Sequence, residues 1–144
     1  MSKTFHARDI FVPVAAWFTK NMDAENFGDL IEDYVQLNIP KPRFIENRII
    51  EGTILYVDHF GNLITNVSQG RIEQVQQKIN KQLTGLKVGD QQISGLSESY
   101  EGAVKQEFGM VYGSTGNIEI FSFMGNAAVK LRKKRGDIIQ LLFG

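Results

Sequence analysis

The sequence predicts a mainly β protein: a C-terminal antiparallel β-barrel or sandwich, preceded by a helical segment that closes an earlier, incomplete domain. Three observations carry this. From residue 48 onward, short β-branched or aromatic runs recur between Gly, Asn, Asp and Ser. The first 22 residues instead carry a broad apolar face at helical spacing. Between them "NIPKPRF", 38 to 44, holds two of the three prolines and reads as an extended linker, because each proline restricts itself and its predecessor. The expected division is 1–42, a closing helical segment of an incomplete N-terminal domain plus linker, and 43–144, a β domain.

Taken in order, residues 5 to 22 read as a helix. Asp9 is available as a cap, Pro13 sits in the first turn, and Val14, Ala15, Trp17 and Phe18 form the apolar face. A short second helix is expected around Ala24 to Leu30. Strands are expected at 48–58, 62–67, 91–96, 107–113, 117–123 and 137–143, the antiparallel pattern of a sandwich or barrel. Two helices interrupt them. Residues 71–79 repeat Ile72, Val75 and Ile79 at helical spacing, and 125–134 opens with a Gly-Asn cap. "LKVGD", 86 to 90, and "KKRGD", 133 to 137, read as turns leading into strands. A lone amphipathic helix must bury its face against other elements, so the chain reads as one that starts mid-fold.

Composition excludes several function classes. A chain of 144 residues fits one domain, or one small domain with part of another. Sixteen basic against sixteen acidic residues leave no charge imbalance to attract nucleic acid or an anionic membrane. Without cysteine there are no disulfides, thiolate metal sites or Cys nucleophiles. The two histidines, His6 and His59, are not spaced as metal ligands, and no cofactor is expected. No apolar stretch approaches the ~20 residues of a membrane span, and Asp9 interrupts any signal peptide. The expectation is a soluble, cytoplasmic protein.

"YVDHFGNLITN", residues 56 to 66, places an acid, a glycine and a carboxamide inside what is otherwise a strand pattern. A tight turn would use Gly61 and Asn62 for their tolerance of positive φ, yet it leaves Asp58 and Asn66 unexplained. "TFHARDIFVPVAAWF" (4 to 18), "GTILYVDHFGNLITN" (52 to 66) and "GSTGNIEIFSFMGNAA" (113 to 128) together resemble, in order, three signatures of the S-adenosylmethionine hydroxide adenosyltransferases. These are the adenosine-forming hydrolases of the fluorinase and chlorinase family. The resemblance implies the last stretch of an N-terminal α/β domain and all of a C-terminal β domain. It also implies homotrimers with the substrate between the N-domain of one subunit and the C-domain of its neighbour.

Residue by residue, the resemblance implies that Asp58 receives the α-amino group of the methionine part, a charge-assisted contact. Asn62 offers donor and acceptor to the adenine edge, and Gly61 lets backbone approach the ligand. Ser114 and Thr115 would hold the substrate carboxylate, where the resemblance implies a Ser followed by a polar or basic residue; Thr115 can donate one hydrogen bond but carries no charge. A Gly/Ser hairpin turn explains the same letters. Asn126 and Ala127 would present helix-opening backbone to the adenine, and Tyr100 an aromatic face, with a plain surface or core tyrosine as the alternative. His6 in "FHARD" is the catalytic residue so implied, holding and activating the attacking water. His59 reads as structural.

The implied activity is hydrolysis of S-adenosyl-L-methionine to adenosine and L-methionine by attack of water or hydroxide on the ribose 5′-carbon. This chain would supply the adenine- and methionine-binding domain and be inactive in isolation. Two other readings use fewer residues. One is a noncatalytic adenosine- or nucleotide-binding β module, with His6 idle. The other is an oligonucleotide-binding barrel resting on the basic run "LRKKR", 131 to 135, which the neutral charge opposes.

Overall fold

A computed structural model describes residues 2–103 and 106–144. Contacts divide the chain into two compact units, Met1–Asn38 and Ile39–Gly144.

In the first unit the expected helix is present but shorter and less regular. A π-helical turn, Ala7–Phe11, runs directly into α1, Val12–Phe18. Pro13 has no N–H to give to the carbonyl four residues back, and the turn before it widens so that Val12 N–H bonds to Ala7 O instead. Asn21, at φ +58°, turns the chain out of the helix. Asp9 does not cap. It lies inside the π-turn and accepts from Arg8 Nε at 2.6 Å and Ser2 N at 2.7 Å, the Arg8 bond first and the Ser2 bond second holding its carboxyl below its ordinary value. The second expected helix is a single 3-10 turn, Ala24–Phe27. None of the described residues up to Asn38 is buried.

The second unit is an antiparallel, nearly closed β-barrel, so the mainly β expectation holds. Its strands are β1 (Arg43–Ile45), β2 (Ile49–Val57), β3 (Leu63–Ser68), β4 (Leu83–Val88), β5 (Gln91–Ser94), β6 (Phe108–Tyr112), β7 (Asn117–Ser122) and β8 (Ile138–Phe143). The sheet runs β5-β4-β8-β2-β3-β7-β6, with β1 added beside β2. Just past the end of β5, Ser97 N donates to Met110 O of β6 at 2.8 Å, which draws the two edges together.

Two strands depart from the sequence reading. β1 forms inside the presumed linker, where Arg43 and Phe44 pair with Glu51 and Ile50 beyond the second proline. β4 was hidden by Gly85, which breaks the apolar alternation of Leu83, Leu86 and Val88. A Cβ at Gly85 would lie 2.7 Å from Ile93 O of the partner strand, so the close crossing of β4 and β5 requires glycine. The expected turn at Gly89 does follow, at φ +60°.

α2, Gln69–Ile79, is capped by Ser68, whose side chain accepts from Arg71 N, and ends at Asn80 in the left-handed region. Its Ile72 and Val75 are buried and Ile79 packs at the edge of the core, as the spacing predicts. Inside the barrel Ile50, Ile54, Leu63, Val67, Leu86, Met110, Ile118, Ile120, Ile139 and Leu141 are each almost fully shielded. At about 1.5–3 kcal/mol for each buried aliphatic side chain, this interior is the dominant favourable contribution to the fold. α3, Ala127–Leu131, follows β7 and opens on Asn126, whose side chain accepts from Val129 N.

Candidate functional site

The stretch that looked like an interrupted strand is the β2–β3 turn. Asp58 N donates to Asn62 O at 3.0 Å and Gly61 N to Asp58 O at 3.1 Å, so the backbone closes a hairpin. The side chains then do more than a turn requires. Asp58 Oδ1 accepts from Phe60 N at 2.9 Å and Asn62 N at 2.8 Å, while Oδ2 accepts from Asn62 Nδ2 at 2.9 Å. The carboxylate and the carboxamide are therefore locked side by side on one wall.

Gly61 sits at φ +86°, and a Cβ there would collide with the Asn126 carboxamide. The space it leaves is filled by Asn126, not by open cleft. Ala128 N of α3 also donates to Gly61 O at 2.9 Å. The second and third sequence motifs are thus welded together: one residue caps α3 and packs the hairpin. Asn66, the other unexplained letter, is structural. Its Oδ1 accepts from Thr53 N at 2.8 Å and its Nδ2 donates to Pro40 O at 2.7 Å. It satisfies a β2 amide beside the irregularity in the β2–β3 ladder and ties down the chain that enters β1.

The wall faces a cleft of about 550 Å³, within the usual range for small-molecule sites, lined by Asp58, Phe60, Asn62, Tyr100, Glu101 and the run 121–125. Phe60 and Met124 stand at its rim, 76% and 94% exposed. Tyr100 opens a 3-10 turn, Tyr100–Ala103. Its ring meets Phe121 edge-on at 5.0 Å and its hydroxyl donates to Glu119 Oε2 at 2.7 Å. That hydrogen bond, then burial and the charges of Glu119 and Asp58, push the Tyr100 phenol up to about 12. Among the described residues, the charged side chains lining the cleft are Asp58 and Glu101, both acidic, which favours a ligand carrying positive charge.

The eight expected site residues do not all converge. Asp58, Asn62 and Tyr100 line the cleft. Asn126 is exposed and engaged with α3 and Gly61, and Ala127 is fully buried behind the wall. Ser114 and Thr115 form the exposed tip of the β6–β7 hairpin, closed by Gly116 N to Gly113 O at 2.9 Å, and neither is among the lining residues. Glu119 fills the space beside Gly113 and links this hairpin to Tyr100. His6 lies in the first unit, exposed, immediately before the π-turn. His59 is exposed beside Phe60, with ring centroids 5.8 Å apart. Sequence reading did not single out Phe60, Glu101, Ser122, Phe123 or Gly125 as lining, because their letters match ordinary strand and turn residues. Among the described residues no group of three or more His, Asp or Glu is placed to hold a metal ion, and no helix is long and apolar enough to cross a membrane.

The fold is a nearly closed β-barrel with an acidic, aromatic-walled cleft of small-molecule size. Residues 52–140 match the family described as SAM hydroxide adenosyltransferase C-terminal domain, and the chain belongs to that family. Similar curated proteins carry the name (R)-S-adenosyl-L-methionine hydrolase. The Salinispora tropica protein is 26% identical over 100% of this chain and 52% of its own length. The Methanocaldococcus jannaschii protein is 27% identical over 99% of this chain and 50% of its own. The Salinispora arenicola protein is 38% identical over 64 residues. The chain spans about half the length of the full-span curated relatives. Among solved structures, an uncharacterized conserved protein from Thermotoga maritima superposes with TM-score 0.66 at 28% identity, covering 99% of this chain and 54% of that one. A conserved hypothetical protein from Thermus thermophilus gives 0.59 at 26% identity, covering 99% and 52%.

Proposed function

We propose that this chain supplies the adenine- and methionine-binding part of an S-adenosyl-L-methionine hydrolase that forms adenosine and L-methionine. The observation that carries it is the locked Asp58–Asn62 pair on the wall of the cleft. A carboxylate has about four acceptor positions, and Asp58 uses three on its own turn. Oδ2 retains capacity for the α-amino group. Asn62, 8% exposed, gives one N–H to Asp58. Its other N–H and its Oδ1 have no protein partner among the described residues, which is the donor–acceptor pair an adenine edge complements.

In this reading water or hydroxide attacks the ribose 5′-carbon in line with the sulfonium. The new C–O bond forms as the C–S bond breaks, the electron pair returns to sulfur as neutral methionine leaves, and when water is the nucleophile one of its protons passes to solvent. The sulfonium is already a good leaving group, so the protein's work is positioning and control of the nucleophile. His6 is assigned to hold that water. Tyr100 borders the ligand, and Asn126 and Ala127 support the hairpin and helix on which the adenine is read. The carboxylate assignment of Ser114 and Thr115 is the part the geometry supports least, since both stand at a hairpin tip away from the cleft lining. The active assembly is proposed to be a trimer in which the exposed rim at Phe60 and Met124 meets a neighbouring subunit.

Calorimetric titration tests the binding half. Adenosine is expected to bind this chain, and Asn62→Ala to weaken it by roughly tenfold or more, the loss of two hydrogen bonds of about 1 kcal/mol each. An affinity unchanged by Asn62→Ala refutes the assignment. The 144-residue chain alone is expected to release little or no adenosine from S-adenosylmethionine. Clear turnover would show that it holds a complete catalytic set.

A further inference from the structure

Lys130 of α3 reaches the cleft wall from behind. Its ammonium donates to Ser122 Oγ at 3.1 Å and pairs with Glu107 Oε1 at 3.3 Å. Ser122, 5% exposed, lines the cleft between Phe121 and Phe123. A serine hydroxyl has one proton to give and two lone pairs. With the ammonium on one lone pair, Ser122 keeps its proton and a second lone pair, and the adjacent positive charge strengthens the proton as a donor while weakening the remaining lone pair as an acceptor. Among the described residues Ser122 Oγ has no other hydrogen-bond partner. Gly125 permits the meeting: a Cβ there would lie 2.9 Å from Ser122 Oγ and 3.0 Å from Lys130 Nζ.

We propose that Lys130 is a positioning residue that holds Ser122 as a hydrogen-bond donor, so that this part of the wall selects a ligand acceptor atom, a purine ring nitrogen. The proposal rests on the reading that the cleft takes an adenosine-bearing ligand. The base is favoured over the amino-acid carboxylate because Phe121, Phe123 and Met124 flank Ser122. Such a wall suits a flat ring, whereas a carboxylate would lose its hydration there for a single neutral donor.

The test titrates adenosine, its 1-, 3- and 7-deaza analogues and methionine into the wild-type chain and into Lys130→Met, Lys130→Arg, Ser122→Ala and the Ser122→Ala/Lys130→Met double variant. Lys130→Met and Ser122→Ala should each weaken adenosine roughly three- to tenfold, the range of one hydrogen bond. Arginine should restore most of the affinity, and the double variant should lose no more than either single one. One deaza analogue should bind the wild type as weakly as adenosine binds Ser122→Ala, and be indifferent to both substitutions. Methionine affinity should not change.

Adenosine binding unaffected by Lys130→Met overturns the proposal. So does an equal loss for every analogue, which marks a collapsed wall, or a loss confined to methionine, which moves the donor to the carboxylate. A wild-type chain that binds neither adenosine nor methionine overturns the parent reading instead. In that event the Lys130 ammonium nitrogen resonance decides this one: it should shift in Ser122→Ala, and an unmoved resonance removes the contact on which Lys130's role depends.

Discussion

The two units of this chain obey the same chemistry with opposite results. Residues 2–38 carry Phe11, Trp17, Phe18, Leu30 and Val35, yet each of these is at least 48% exposed. In residues 39–144 Ile50, Ile54, Leu63, Ile120 and Leu141 are instead shielded from solvent, because strands wrap around them. A strand pair passes its hydrophobic face to the next strand until the sheet curls on itself, whereas a short helix has one stripe and no partner of its own. Isolated helices of this length are marginal in water. Local pattern therefore suffices for shape in both units, but only the barrel converts pattern into burial.

Truncation gives the largest separation between the two. Ile54→Ala or Leu63→Ala, both fully buried, should cost about 2–5 kcal/mol in denaturant unfolding. Trp17→Ala, at a side chain 48% exposed, should stay within about 0.5 kcal/mol. Equal costs would break the comparison, and so would equally slow amide exchange in α1 and β3.

Next comes the hairpin that carries the site. Gly61→Ala places a Cβ on Asn126 at φ +86° and should cost about 1–3 kcal/mol while weakening adenosine. Gly70→Ala, in α2 with nothing within 4 Å, should instead stabilise by about 0.5–1 kcal/mol. If the two behaved alike, Gly61 would not be what joins the two motifs.

Asn66→Ala should cost about 1 kcal/mol and speed exchange at the Thr53 amide, because Thr53 N and Pro40 O lose their shared partner. Unchanged exchange there would mean that the entry to the barrel is held some other way.

The smallest effect is electrostatic. The folded state raises the Tyr100 phenol from 10.0 to about 12, favouring its protonated form. Its contribution to stability is therefore complete below pH 10 and lost as pH rises toward about 12. The difference between phenolate absorbance titrations of the wild type and Tyr100→Phe should show an ionisation near the top of that window. One centred near pH 10 would mean that the bond to Glu119 is absent in solution.

Part of the candidate cleft wall was legible because its hydrogen bonding is local. Asp58, Gly61 and Asn62 lie within five residues of one another, and a carboxylate bonding its own turn is a short-range event. Phe121 and Ser122 were read only as strand, since alternation along β7 does not say that a tyrosine twenty-one residues earlier will lean on one and a lysine eight residues later on the other. The Glu119–Tyr100 bond that connects the β6–β7 hairpin to the cleft was not legible either, because its partners lie nineteen residues apart on different elements.

By itself the sequence determined the β alternation, the helical spacing of α2, the cap of α3 and the hairpin at 58–62, because each depends on torsions and hydrogen bonds among near neighbours. Tertiary structure alone decided that β1 and β4 exist, that Asn66 reaches Pro40, and that Lys130 stands behind Ser122. Those outcomes depend on which distant segments the closing sheet brings within hydrogen-bond distance, and no window of adjacent residues contains that information.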